Sequence, residues 1–185
     1  MKPEHGEPSC LSTHEGDVMS VHSSAFTLSS PDFEDGDYIH LRHVMTHEPY
    51  QGDNLSPALQ WDHVPEGTQS FAITVYDPDA PTGSGWWHWL VFNLPAETRS
   101  LPRGVLPDGT LLPAGAVQSL TDYGVPGYGG PRPPKGHGAH RYQFTVYALK
   151  VPTLDLPADT MPAKVGFMLN AHALSKAKIT ALFRG

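Results

Sequence analysis

Three runs of strand length, each closed by Pro, Gly or a polar turn, most constrain what this chain can fold into: FAITVY at 71–76, WWHWLVFNLP at 86–95 and HRYQFTVYAL at 140–149. All are rich in aromatic and β-branched residues and too short for buried helices, which favours strands. In the first, Phe71, Ile73 and Val75 alternate with Ala72, Thr74 and Tyr76, and both sets are largely apolar, so the strand is expected to be covered on both faces. In the third, His140, Tyr142, Phe144 and Val146 share one face while Arg141, Gln143, Thr145 and Tyr147 share the other. A fourth run, AKITALF at 177–183, alternates in the same way and reads as the last strand.

The segments between these runs carry the turn chemistry. The chain has 18 Gly and 19 Pro, which marks it as loop-rich. AFTLSS at 25–30 and HLRHVM at 40–45 read as short strands on either side of an acidic turn at Asp35-Gly36. Residues 95–139 form a connection dense in Pro and Gly, of a length that usually carries function and is expected to drape over one end of the sheets. A helix is expected only late: Asp159 or Thr160 can cap it, Pro162 suits its first turn, and KVGFMLNAHALSKA follows. This pattern describes a β-sandwich or barrel-like all-β domain with one late helix.

Residues 1–22 have no apolar periodicity and are expected to form a mobile tail, leaving 23–185 as one domain. The formal net charge of -7 argues against binding nucleic acid through phosphates, which requires Lys and Arg. The single cysteine, Cys10, permits no intramolecular disulfide and no multi-cysteine zinc site. No apolar run approaches the ~18 residues of a membrane span, and the first residues lack a signal-peptide core. The chain therefore reads as soluble and cytoplasmic, although a processed export product would have the same composition.

Chemistry is expected where ionisable groups stand at strand ends beside long loops. Asp77 and Asp79 follow the first strand in the rigid segment DPDAP, His88 lies early in the second strand, and His140 opens the third. Each has an ordinary alternative: an Asp in a Pro turn serves the turn itself, and a lone His in an apolar strand is a core residue. Taken together, an Asp, His, His set has three readings. It binds an anion through imidazolium donors, it holds a metal as a two-His, one-carboxylate site, or it supplies the acid and base of a hydrolase. Hydrolysis lacks a nucleophile, since no GxSxG is present, and positions 77, 88 and 140 lack the short spacing of a metal motif. The glycine-rich 127–138 segment matches no nucleotide-phosphate loop, but its backbone N–H groups can approach a small anion.

The ordered segments DPDAP at 77–81, GWWHW at 85–89 and GPRPPKGHGAHRY at 130–142 resemble the phosphatidylethanolamine-binding protein family, and SPALQW with TGSGWWHW resembles its bacterial, Raf-kinase-inhibitor-like branch. The resemblance runs from about Ser24 to the C-terminus. It implies two antiparallel sheets in a Greek-key β-sandwich, with one or two short helices near the C-terminus. It also implies a surface pocket for phosphate-containing head groups or similar anions, with Asp77, His88, His140 and Tyr142 lining it, Pro81, Trp86, Gly130 and Pro131 as walls, and Asp79 beside them. Of Trp86, Trp87 and Trp89, only Trp86 is expected to reach the pocket. Family members are described as non-enzymatic binding or regulatory proteins, which implies no cofactor or metal, a kinase or serine protease as partner, and a homodimer. Membrane insertion is not expected from so acidic a chain without an amphipathic basic helix. Arg132, set between Pro131 and the Pro133-Pro134 pair, departs from the family pattern and enlarges the loop beside the pocket.

Overall fold

The three long runs pair side by side. In the computed structural model, which describes residues 24–185, they are β3 (Ser70–Asp77), β4 (Trp86–Pro95) and β7 (Ala139–Leu149), with β3 between the other two. Two further strands, β6 (Val117–Gln118) and β8 (Ala173–Arg184), complete a five-stranded sheet in the order β6-β4-β3-β7-β8. A smaller sheet, β1-β2-β5, contains Thr27–Ser29, Leu59–Asp62 and Ser100–Leu101. All strand pairings within both sheets are antiparallel. The N-terminal tail expected for 1–22 lies outside the described residues.

The central strand β3 is covered on both faces, as its two apolar sets predict. The inner face of the large sheet packs Phe71, Ile73, Val75, Trp89, Phe144 and Val146 against Leu28, Leu59 and Trp61 of the small sheet. Its other face packs Ala72, Leu90, Phe92 and Leu149 against Val165 and Leu169 of the helix α1 (Pro162–His172). Each of these larger apolar side chains contributes roughly 1.5–3 kcal/mol by leaving water.

Three local expectations are corrected by the structure. The segment around 40–45 does not form a strand: Leu41–His43 is a 3-10 turn, with the His40 ring accepting from the Arg42 N–H at 3.1 Å. Neither Asp159 nor Thr160 caps α1. Its N-cap is Met161, and the Thr160 hydroxyl is already donated to the Pro157 carbonyl at 2.6 Å in the preceding turn. Pro162 does sit in the first turn. The helix also stops earlier than the run KVGFMLNAHALSKA suggests, because Ala173, Ser175 and Lys176 pair with Leu149, Ala148 and Tyr147, and that ladder outcompetes further helix.

The long 95–139 connection is tied down from a distance. Asn54 donates to the Tyr128 carbonyl at 3.0 Å and accepts from the Gly130 N–H at 2.7 Å. The Tyr128 hydroxyl reaches the His43 carbonyl at 2.8 Å, and the Tyr50 hydroxyl reaches that of Pro133 at 2.9 Å. These buried bonds hold the loop over one end of the large sheet, where the strand-end histidines stand.

Candidate functional site

At that end of the sheet is a cavity of about 310 Å³. Asp77 enters it from the end of β3, Trp86 and His88 from β4, and His140 and Tyr142 from β7. His140 and Tyr142 are two apart on one strand and so face the same side. His88 arrives differently. Across the β3–β4 ladder Val75 stands opposite Trp89 and Tyr76 opposite Trp87, so His88 is the extra residue of a β-bulge. Unbroken alternation would place it with Leu90 and Phe92 on the helix-facing side. The bulge instead re-aims it into the cavity, its ring edge-on to Tyr142 at 5.1 Å.

The polar groups form an ordered chain. Asp77 is buried, and its carboxylate accepts from His140 Nδ1 at 2.7 Å and from the Asp79 N–H at 2.8 Å. His140 Nε2 is in turn 2.6 Å from Nδ1 of His137. Because His140 donates through Nδ1, its Nε2 accepts from His137 when both rings are neutral. His88 donates its Nδ1–H to the Gly129 carbonyl at 2.6 Å, since a carbonyl can only accept. That leaves Nε2 as an acceptor in the neutral ring and a donor in the protonated one.

Burial holds the His88 imidazole below its ordinary pKa, against the opposing pull of the Gly129 carbonyl and Asp77. Burial likewise pushes the phenols of Tyr123 and Tyr142 up, so both remain neutral hydroxyls. Two buried donors of this wall, the Tyr142 hydroxyl and Trp86 Nε1, have no hydrogen-bond partner. Buried polar groups are ordinarily satisfied, so two unpartnered donors on residues that line one cavity are an anomaly that an acceptor-bearing ligand would relieve.

Of the residues expected at the pocket, Asp77, Pro81, Trp86, His88, His140 and Tyr142 line the cavity, and Asp79, Gly130 and Pro131 do not. Asp79 is turned outward to Arg141, accepting from its backbone N–H, Nε and Nη2, each at 2.9 Å. Gly130 lies behind the wall against the 43–45 backbone, and the Pro131 carbonyl accepts from the Met45 N–H at 3.1 Å. Among the three tryptophans, Trp86 alone lines the cavity. Trp87 packs on Tyr76 at 4.6 Å on the opposite face, and Trp89 is fully buried, donating to Gln118.

Tyr123, Arg132, Pro133, Pro134, Ala80 and Thr82 also line the cavity without having been singled out as pocket residues. The Tyr123 ring stands edge-on to Trp86 and His88, 5.4 and 5.5 Å away. Nothing in its local sequence signals this, because the fold-back of the loop depends on the distant Asn54 and Tyr50 bonds. Arg132 was legible as a departure beside the pocket, but not as part of its lining. Among the described residues no group of three His, Cys, Asp or Glu is arranged to hold a metal ion.

The buried imidazoles are expected to make stability sensitive to mild acid. His43, fully buried and bonded to the Leu55 carbonyl, is held below its ordinary pKa by burial, as is His88. Both rings bind a proton more readily unfolded than folded, so their contribution is present above the unfolded value near 6.5 and is lost as pH falls toward the folded values. The depressed carboxylate of Asp79, bonded to Arg141, adds a loss only below its ordinary 3.8. Urea unfolding is expected to show stability lower by on the order of 2 kcal/mol at pH 5 than at pH 7.5. A flat profile across that window would show that these rings are charged in the fold.

The family model described as phosphatidylethanolamine-binding protein matches residues 29–184. The UPF0098 protein YbhB of Escherichia coli is 53% identical over 156 residues, covering 84% of this chain and 98% of its own length. A second Escherichia coli relative, the UPF0098 protein YbcL, is 48% identical over 167 residues, covering 90% of this chain and 91% of its own. The crystal structure of YbcL, described as a new member of the mammalian PEBP family, aligns with a TM-score of 0.84 at 48% identity over 86% of this chain and 98% of that one. The homolog CT736 of Chlamydia trachomatis aligns with a TM-score of 0.73 at 29% identity, over 87% and 98%. Among the described residues no helix is long and apolar enough to cross a membrane. With its sheets, its strand-end pocket and a family model spanning nearly all of the described chain, this protein belongs to the phosphatidylethanolamine-binding protein family.

Proposed function

We propose that this chain is a non-enzymatic binding protein whose strand-end pocket takes a small anionic group, such as the phosphate of a phospho-head group. The observation that carries this reading is Tyr142, a residue that lines the cavity, is only 1% exposed and has a buried hydroxyl without a partner. Trp86 Nε1 adds a second such donor. An oxyanion brings the acceptors that these donors lack, whereas an apolar ligand brings none. The Asp77 carboxylate is already engaged by His140 and the Asp79 N–H, so it orients the imidazole rather than competing for the ligand.

The test is an NMR titration of metal-free protein with phosphorylethanolamine near pH 6, comparing wild type, Tyr142→Phe and His140→Ala. Wild type is expected to show saturable shifts centred on His88, His140 and the 127–138 loop. Tyr142→Phe is expected to weaken binding by roughly tenfold, the worth of one hydrogen bond to a charged group. It should leave unfolding unchanged, because the hydroxyl loses no protein partner. His140→Ala is expected to abolish the saturable shifts. No shifts in wild type, or shifts only after a divalent metal is added, would overturn the reading.

A further inference from the structure

The charges around the cavity do not balance in the way a generic anion site would require. Among the described residues, Asp77 is the only carboxylate in its lining, and Arg132 the only permanent cation. The other nearby basic side chains are committed elsewhere: Arg141 grips Asp79, and Lys135 lies over the Tyr50 ring at 4.7 Å. Arg132 has no carboxylate within salt-bridge distance among the described residues. Its Nε donates to the Glu48 carbonyl at 3.0 Å, while the Glu48 side chain is taken by Gln51 at 3.2 Å. The guanidinium is thus anchored by one edge, with its terminal nitrogens left for something at the mouth of the pocket. Its charge already reaches the wall, where it pulls against the burial that raises the Tyr123 phenol.

A count of donors then separates two classes of phosphate. Tyr142 and Trp86 offer one neutral donor each from the wall, enough for two oxygens. A phosphodiester has two non-bridging oxygens and one negative charge. A phosphomonoester has a third oxygen and, above its second pKa near 6, a second charge. With neutral imidazoles the lining carries no net charge, and without Arg132 it would carry the charge of Asp77 alone. The guanidinium is the one group present that rewards the third oxygen, through its forked N–H geometry.

We propose that Arg132 determines ligand class, making the pocket select a dianionic phosphomonoester over a monoanionic phosphodiester. The proposal rests on the anion-binding reading above and adds that an intact glycerophospholipid, a diester, is the poorer ligand. A phosphorylated small molecule, or a head group freed from its lipid, is the better one.

Phosphorylethanolamine and glycerophosphorylethanolamine share the ethanolamine and differ in esterification, so calorimetry with both at pH 7.5 isolates the effect. Wild type is expected to bind the monoester about tenfold tighter, consistent with one charge-assisted contact near the surface. In Arg132→Gln that ratio is expected to fall to about twofold or less, through weaker monoester binding. Arg132→Lys, which keeps the charge, is expected to retain most of the preference. Because Arg132 is exposed, both variants should unfold at the wild-type denaturant midpoint. A ratio unchanged in Arg132→Gln, equal weakening of both ligands, or a wild-type preference for the diester would overturn the role of Arg132 while leaving the anion pocket standing. Wild-type protein that binds neither ligand, at pH 7.5 or pH 6, would overturn both.

Discussion

Asp77→Ala is expected to destabilise the chain by about 3 kcal/mol and to abolish ligand binding, whereas Asp79→Ala, two residues away, costs about 1 kcal/mol or less. The two carboxylates are alike in sequence, both in DPDAP, and opposite in setting. The Asp77 side chain is 4% exposed and holds two donors, His140 Nδ1 and the Asp79 N–H. Deleting it leaves the buried His140 Nδ1–H and the part-buried Asp79 N–H without their acceptor and releases the ring that faces the cavity. The Asp79 side chain is 29% exposed and its partner Arg141 54%, so solvent screens that pair and water can replace it. Urea unfolding of the two variants side by side, with phosphorylethanolamine titration of each, gives the comparison. Equal destabilisation would mean that the Asp77–His140 pair is open to water in solution.

The second large effect is expected from a residue that touches no ligand. Gly130→Ala should cost about 4 kcal/mol, a large share of the roughly 5–15 kcal/mol by which native domains are stable. A Cβ added there would meet the His43 carbonyl oxygen at 2.2 Å and the Met45 nitrogen at 2.8 Å, both backbone atoms that cannot rotate aside. Gly130 does not have a positive φ, so the demand is for space rather than for conformation. Gly136 is the natural control. Its φ is +77 and nothing lies within 4 Å of an added Cβ, so Gly136→Ala should cost only about 1 kcal/mol of backbone strain. If the two variants unfold at the same urea concentration, the close approach of the 129–131 and 43–45 segments is not kept in solution.

The strands were legible because burial writes itself into short apolar runs, and β3, β4 and β7 fall where those runs do. His140 and Tyr142 were legible for the same reason, being two apart on a clean strand. Most of what failed depends on contacts distant in sequence, the turns at 40–45 and before α1 excepted, where local bonds decide. The end of α1 is set by the pairing of β8 with β7, and its cap by a turn that uses the Thr160 hydroxyl first. Tyr123 and Arg132 reach the cavity because Asn54, Tyr50 and Tyr128 pin the loop, and no local pattern encodes bonds spanning about 75–85 positions. Gly130 and Pro131 were placed beside the pocket by motif, and the structure puts them one layer behind it, where the same residues serve packing.

The bulge at His88 separates two demands that a regular strand would join. Every side chain on an unbroken ladder answers to a neighbour across the sheet, so changing it disturbs the pairing. His88 has no opposite number on β3, and its strand neighbours Trp87 and Trp89 carry the packing on the two faces. Position 88 is therefore released from pairing with β3, and its buried ring answers instead to the loop, through the Gly129 carbonyl. The bulge thus turns a strand residue into a fastener: His88 is bonded to Gly129 by its ring and by its own carbonyl, so the sheet holds the loop wall of the pocket at a point that carries no cross-strand pairing with β3.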